Sequence, residues 1–332
     1  MELKSTEVPA DAQENTERPL VLYFSAGAMA GVFSAGFSKA FEEAGLKRCV
    51  DSVYGNSAGG LTALNFLSGQ IEEGAALYWD DLNGDKYIKW RRLPMYVLKG
   101  FSNRFFRTKF TLEPVFDIDY IESVLSTRRV IDFDAIKASG SRLYMIVYNL
   151  QKSAHEYLEV ASADDIIPML RATGGGHPAY PHSELIHGNL YVDGGTIDDK
   201  ERIVSLIKRH PDKEIVCVLN NPKWKQGAIM NFLNKTSIAI VMLPFFGLRE
   251  AYKTANSDFA TVDIEKLQKD HPFLHFIGND LNGFQMSTNP AHHKMLYRRG
   301  YELGREFLLS NALRRARPTL STEGNVVQYV SA

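Results

Sequence analysis

Val50-Asp-Ser-Val-Tyr-Gly-Asn-Ser-Ala-Gly-Gly-Leu-Thr-Ala-Leu-Asn-Phe-Leu67 is the stretch on which the reading of the fold turns. Val50–Tyr54 is a short strand-forming run, and Leu61–Leu67 reads as a helix rich in apolar residues. Between them lies Gly55-Asn56-Ser57-Ala58-Gly59, a G-x-S-x-G pattern at a strand-to-helix turn. Such a turn lifts its serine clear of the sheet in a strained, exposed position. Gly55 and Gly59 are expected because a Cβ there would strike neighbouring backbone. A helix starting behind Ser57 aims its first amides and its positive dipole end at a developing oxyanion. The plainer reading is a small-residue turn that only lets strand and helix pack closely.

Working outward, Leu20-Val-Leu-Tyr-Phe24 is another strand signal, ending in Ser25-Ala-Gly-Ala-Met-Ala-Gly31. Val32, Phe33, Gly36, Phe37, Ala40, Phe41 and Ala44 then recur at helical steps, and Gly45 sits where a C-terminal cap is expected. Strand, loop, helix, strand, sharp turn, helix is the grammar of a parallel sheet flanked by helices. Residues 76–135 read as helices and loops rich in aromatic and basic residues. Strand signals return at Leu143–Tyr148, Leu190–Val192 and Ile215–Leu219, with helical spacing over Asp199–His210. A last long helix is expected to open at Asn289-Pro290 and run toward Arg314 and Arg315.

A serine nucleophile needs a base. Asp193, in Tyr-Val-Asp-Gly-Gly just past a strand signal, is the best candidate, with Gly194 and Gly195 leaving room around it; otherwise it is a turn aspartate bonded to its own backbone. The loop Ser25–Gly31 supplies small residues whose amides can approach a substrate oxygen, or that merely pack a helix on a strand.

These three pieces, in this order, resemble the patatin-like phospholipase family. The stretch from Arg171 through Gly174-Gly175-Gly176-His177-Pro178 to Pro181 looks like that family's small-residue segment, and the resemblance spans roughly residues 19–222. It implies a three-layer α/β/α fold with a mainly parallel sheet, and carboxyl-ester hydrolysis on phospholipids or other glycerolipids through a Ser–Asp dyad, without cofactor or metal. By motif, Ser57 takes the nucleophile's place and Asp193 the base's. Gly27, Ala28 and Ala58 offer oxyanion amides, and Gly31, Gly55, Gly59, Gly194 and Gly195 are the motif glycines. The chain departs from the family at the loop, where Ala26-Gly27-Ala28-Met29-Ala30-Gly31 replaces a run of glycines and a basic residue. Alanine keeps the amide but disfavours positive φ. Past Asp193-Gly-Gly, Thr196-Ile-Asp-Asp-Lys-Glu-Arg-Ile203 also departs from the family's small turn.

Two other readings compete. An α/β-hydrolase triad would add His271 or His275 to Ser57 and Asp193; His177 and His182 read as loop residues. A catalytically impaired lipid-binding scaffold is the second. The remaining signals bound the class. The chain has 332 residues, 45% of them hydrophobic, with 38 basic against 39 acidic side chains, so nothing favours nucleic acid. Cys49 and Cys217 read as buried thiols, and no metal-ligand or P-loop spacing occurs. Residues 1–18 read as a polar leader without a signal peptide's apolar core, residues 19–318 as one catalytic domain (motif-bearing to about 222, helical over 223–318), and residues 319–332 as a flexible tail. Within Asn221–Phe246, the apolar run Ile238–Phe246 (Ile-Ala-Ile-Val-Met-Leu-Pro-Phe-Phe) is too short to span a bilayer; the segment reads as an interior helix or packed strand, and the competing reading is a lid or a peripheral membrane contact near the acyl-binding cleft. A cytoplasmic protein that visits membranes fits these features; oligomeric state is open.

Overall fold

The computed structural model describes residues 18–176, 179–194, 199–220, 264–281, 286–310, 312–313, 316–320 and 327–331. The chain opens with β1 (Leu20–Phe24), α1 (Val32–Glu43), β2 (Val50–Gly55) and α2 (Ala58–Ser68). Gly45, at φ 70°, closes the turn that follows α1. Every residue of β1 and β2 is buried, because helices cover both faces of a parallel sheet. Next come α3 (Ile71–Ala76), α4 (Leu93–Phe105), α5 (Ile118–Thr127) and α6 (Phe133–Ser139). Asp117 and Asp132 cap α5 and α6 by accepting from the amides of Tyr120 and Ala135.

The sheet resumes with β3 (Arg142–Asn149) and β4 (Ala154–Glu159), followed by α7 (Ala163–Gly174), β5 (Glu184–Ile186), β6 (Asn189–Asp193), α8 (Asp199–Arg209) and β7 (Glu214–Leu219). Later described elements are α9 (Ile264–Asp270), β8 (Leu274–Gly278), α10 (Pro290–Leu309), β9 (Ala316–Leu320) and β10 (Val327–Ser331). The central order is β5-β6-β3-β2-β1-β7-β8, with β4 also on β3. Strands β3, β2, β1, β7 and β8 run parallel to their neighbours in that order, while β4, β5 and β6 pair antiparallel. One face carries the larger core, with Leu22, Phe24, Val53, Met145 and Val218 packed under α1 and α2. The other carries Val21, Tyr23, Tyr54, Ile146 and Cys217, closed by Ile203 and Leu206 of α8. This is the α/β/α sandwich with a mainly parallel sheet. Cys49 and Cys217 are buried free thiols.

Three expectations change. The part read as helical beyond residue 223 contributes β8 to the central sheet; a mostly buried strand of five residues has no periodicity to separate it from a helix. The last long helix begins at Asn289-Pro290 but ends at Leu309, short of Arg314 and Arg315. The stretch read as a tail holds β10, which pairs antiparallel with β9, Val327 opposite Leu320. His177, Pro178, Gly195, Arg314, Arg315 and the Asn221–Phe246 segment lie outside the described residues.

Candidate active site

Ser57 sits between β2 and α2 at φ 53° and ψ −124°, in the left-handed half of backbone space that a side chain occupies only under constraint. The constraint is the closeness of its neighbours. A Cβ on Gly55 would lie 2.5 Å from the Cα of Gly60, and one on Gly59 would fall on the Phe24 carbonyl oxygen. Gly59 N–H and Gly60 N–H bond back to the Asn56 and Ser57 carbonyls at 2.8 Å, which tightens the turn. Ala58 opens α2, so its amide has no carbonyl one turn earlier to bond.

Asp193 reaches the same place from the other direction. Three strands pair with β3: β2 along Arg142–Met145, β6 along Val147–Asn149, and β4 along Tyr144–Asn149. A strand has two edges and β4 overlaps both of the others, so β2 and β6 share the edge opposite β4. β2 leaves that edge at Gly55, opposite Met145, and β6 arrives at Asp193, opposite Val147. Two strand ends therefore face each other across two residues of β3, about 7 Å. Thr173, near the end of α7, fills this fork. Its Oγ accepts from the Ser57 amide at 2.9 Å and donates to the carbonyl of Ile146, the residue midway between the two exits, at 2.7 Å. Asp193 is buried, and its Oδ2 accepts from the Gly176 amide at 3.1 Å. A Cβ on Gly194 would come within 2.9 Å of the Ile146 carbonyl oxygen.

The loop after β1 closes the site. Ala28 adopts φ 46°, so the alanine takes a conformation that its Cβ disfavours. Gly27 is held against Asn220, where a Cβ would fall on the Asn220 side chain, and a Cβ on Gly31 would lie 2.5 Å from that of Ala58. Asn220 follows β7 and knits the loop together. Its Nδ2 donates to Ser25 O at 2.6 Å, its amide donates to Ser25 Oγ at 2.9 Å, and its Oδ1 accepts from the Ser34 amide and hydroxyl. Ala28 stands at the first position of the turn that follows, so its N–H has no carbonyl one turn earlier to bond.

Ser57, Ala28 and Ala58 open onto a cleft of about 620 Å³ of empty space, part of it open to solvent. Its walls are apolar: Met29, Leu61, Leu82, Ile118, Leu125, Ile167 and Leu170, with Tyr78 and Tyr87. The charged side chains in the lining are Glu122 and Arg171, and Arg171 bonds Asp119, Glu122, Glu184 and the Tyr180 hydroxyl. Burial drives the Tyr87 hydroxyl well above its ordinary range, and the negative charge of Asp193 pushes it further. Tyr23, below the fork, rises to about 12 through burial, opposed by Arg202 and reinforced in part by Asp193.

A family model described as patatin-like phospholipase matches residues 22–200, more than half of the chain, including both strand ends of the fork. The chain belongs to the patatin-like phospholipase family. Among solved structures, VipD from Legionella pneumophila is similar at 13% identity and a TM-score of 0.38, covering 89% of this chain and 67% of that one. No curated protein sequence matches significantly.

For this patatin-like chain, two residues of the site went unnoticed in the sequence. Thr173 lay in the segment singled out only for small residues, and nothing local marks it as the link between two strand ends. Asn220 had a usable signal: it is the first residue past a parallel strand, where open α/β sheets place their site residues. The triad histidines lie elsewhere. His275 is opposite Val216, near the start of β7, and faces Glu214 at 3.5 Å; His271 precedes β8. Ser57 lies past the other end of the sheet and three strands away, about 19 Å by strand spacing and rise. Among the described residues, no three His, Cys, Asp or Glu side chains are grouped to hold a metal ion, and no helix is long and apolar enough to cross a membrane.

Proposed function

We propose that this protein is a lipid acyl hydrolase that cleaves carboxyl esters of glycerolipids through an acyl-enzyme on Ser57, with Asp193 as base. The observation that carries the reading is the left-handed Ser57, set at the fork beside Asp193 and opening onto an apolar cleft. Asp193 accepts the Ser57 proton as Oγ attacks the ester carbonyl carbon. Amides of Gly27, Ala28 and Ala58 hold the tetrahedral oxyanion, and the leaving alkoxide takes the proton from Asp193 as the C–O bond breaks. Water, deprotonated by Asp193, then attacks the acyl-enzyme; as the bond to Ser57 Oγ breaks, Oγ takes that proton back from Asp193 and the fatty acid is freed. An exposed carboxylate is a weak base, with a pKa of about 4, and Asp193 is buried. The apolar walls suit an acyl chain.

Fatty-acid release from mixed phospholipids and glycerides tests this. Ser57→Ala and Asp193→Asn are expected to lose at least about a thousandfold in kcat while remaining folded. A fluorophosphonate should label the wild type and not Ser57→Ala. Wild type that neither labels nor releases fatty acid would leave a lipid-binding scaffold instead.

A further inference from the structure

Between the cleft and α5 the chain makes an excursion with an unusual surface. Residues 86–110 hold eight basic side chains (Lys86, Lys89, Arg91, Arg92, Lys99, Arg104, Arg107 and Lys109) and no acidic one, in a chain whose net charge is −1. Lys89 and Arg92 pair with Asp117 and Glu113, whereas Arg91, Arg104, Arg107 and Lys109 make no ion pair among the described residues. On the same excursion Met95, Leu98, Phe105, Phe106 and Phe110 are each more than half exposed, Phe106 by 79%. The buried side of α4, at Tyr96 and Gly100, is turned the other way. A cluster of this kind on a soluble surface marks an interaction site, since monomers rarely expose contiguous large apolar residues.

The aromatic tip is built, not frayed. Asn103 accepts from the Thr108 hydroxyl at 2.9 Å and the Phe110 amide at 2.8 Å, and donates to the Phe110 carbonyl at 2.8 Å. Arg107 takes φ 53° to complete the bend, and Phe105 stacks on Phe101 at 5.7 Å. The fold thus accepts a strained residue in order to hold Phe105, Phe106 and Phe110 outward between cations. The base of the excursion is clipped to the cleft. Ile88 bridges Phe116, Lys89 N–H donates to Val115 O at 2.8 Å, and Asp117 N–H donates to Tyr87 O at 2.9 Å. Tyr87 and Ile118, just outside that clip, line the cleft.

We infer that α4 and the loop 104–110 form a docking surface for an anionic phospholipid bilayer, which seats the cleft mouth at the lipid. Aromatic residues enter the headgroup boundary while the cations meet lipid phosphates and carboxylates, the pairing that binds interfacial helices. The purpose of docking rests on the hydrolase reading; the docking itself does not, and the two are measured separately.

The test is sedimentation of Ser57→Ala, which cannot turn over, with phosphatidylcholine vesicles with and without phosphatidylserine. Binding should need phosphatidylserine and weaken as salt rises. Arg104→Glu/Arg107→Glu/Lys109→Glu should weaken it by roughly a hundredfold, at about fivefold for each basic residue removed from an anionic surface. Phe105→Ser/Phe106→Ser should weaken it by roughly tenfold or more. In the otherwise wild-type enzyme, both patch variants should keep hydrolysis of a water-soluble short-chain ester and lose hydrolysis of vesicle lipid. Vesicle binding by wild type with no ester hydrolysis would sink the enzyme reading and leave the surface standing. Binding that ignores phosphatidylserine, or survives in both variants, overturns the inference. So does wild-type self-association that the variants abolish without any change on vesicles.

Discussion

Thr173 joins the two halves of the candidate site through one hydroxyl, and only a hydroxyl side chain at that position can do so. It accepts from the Ser57 amide and donates to the Ile146 carbonyl, so valine of similar shape would leave a donor and an acceptor without partners inside the fork. Each loss costs about 1–3 kcal/mol. Thr173→Val is therefore expected to lower kcat by roughly ten- to a hundredfold with KM within about twofold, and to reduce stability by about 2 kcal/mol, whereas Thr173→Ser retains most of both. Steady-state kinetics beside urea unfolding reads this; equal kinetics for Val and Ser would remove Thr173 from the positioning of Ser57. Ala28 poses the complementary question. A left-handed alanine costs about 1 kcal/mol relative to glycine. Ala28→Gly should keep activity and stability within about 1 kcal/mol, and Ala28→Val, β-branched at positive φ, should lose activity at least tenfold. An active, stable Ala28→Val would mean that the loop does not need this conformation. The sequence announces the small loop at Ser25–Gly31 but not its dihedral angles, because alanine does not ask for positive φ; the surrounding contacts with Asn220 and Ala58 impose it.

At the scale of elements, α10 lies across α1 with backbone nearly touching backbone. A Cβ on Gly36 would fall on the Tyr297 carbonyl oxygen, and one on Gly300 on the Phe33 carbonyl oxygen. Gly36→Ala and Gly300→Ala are each expected to cost about 2–3 kcal/mol, since the helices must separate to admit a methyl group. Urea midpoints measure it, and a double variant no worse than either single one would show that one separation serves both. The helical period around Gly36 was plain in the sequence, as were β1, β2, β3 and β7, because each is a local apolar run. The fork at β3 was not. It depends on three partners reaching one strand from residues 50–55, 154–159 and 189–193, a long-range arrangement that no local pattern encodes. Ser57 and Asp193 were recognisable as motif residues, while the bond from Ser57 through Thr173 to Ile146 became visible only when the strands were in register.

For the whole molecule, the two ends of the sheet have separate duties. The C-terminal end of the parallel strands carries the candidate site, and the other end holds a buried polar cluster with a titratable imidazole. There His210 Nε2 meets the Tyr54 hydroxyl at 2.9 Å, and the Tyr54 ring stacks on Tyr144. Burial lowers the His210 pKa to about 4, with Lys213, Arg142 and Arg209 adding to the effect and Asp51 opposing it. The unfolded chain takes up that proton near pH 6.5, so neutral His210 contributes stability that is complete above about pH 6.5 and declines as pH falls toward 4. The decline is about 1.4 kcal/mol per pH unit inside the window, on the order of 3 kcal/mol in all. Asp51, buried against Lys213 and Arg142, has its carboxyl held below the usual range, so its contribution is lost only below about pH 4 and does not blur the His210 window. His210→Phe gives up the Tyr54 hydrogen bond but cannot titrate. Its unfolding free energy should start lower at pH 7 and stay nearly level down to pH 4.5, while the wild type falls. Parallel curves for the two proteins in urea unfolding across that range would assign the acid sensitivity to some other group. The lines converge only if the buried imidazole at the far end of the sheet is what yields first.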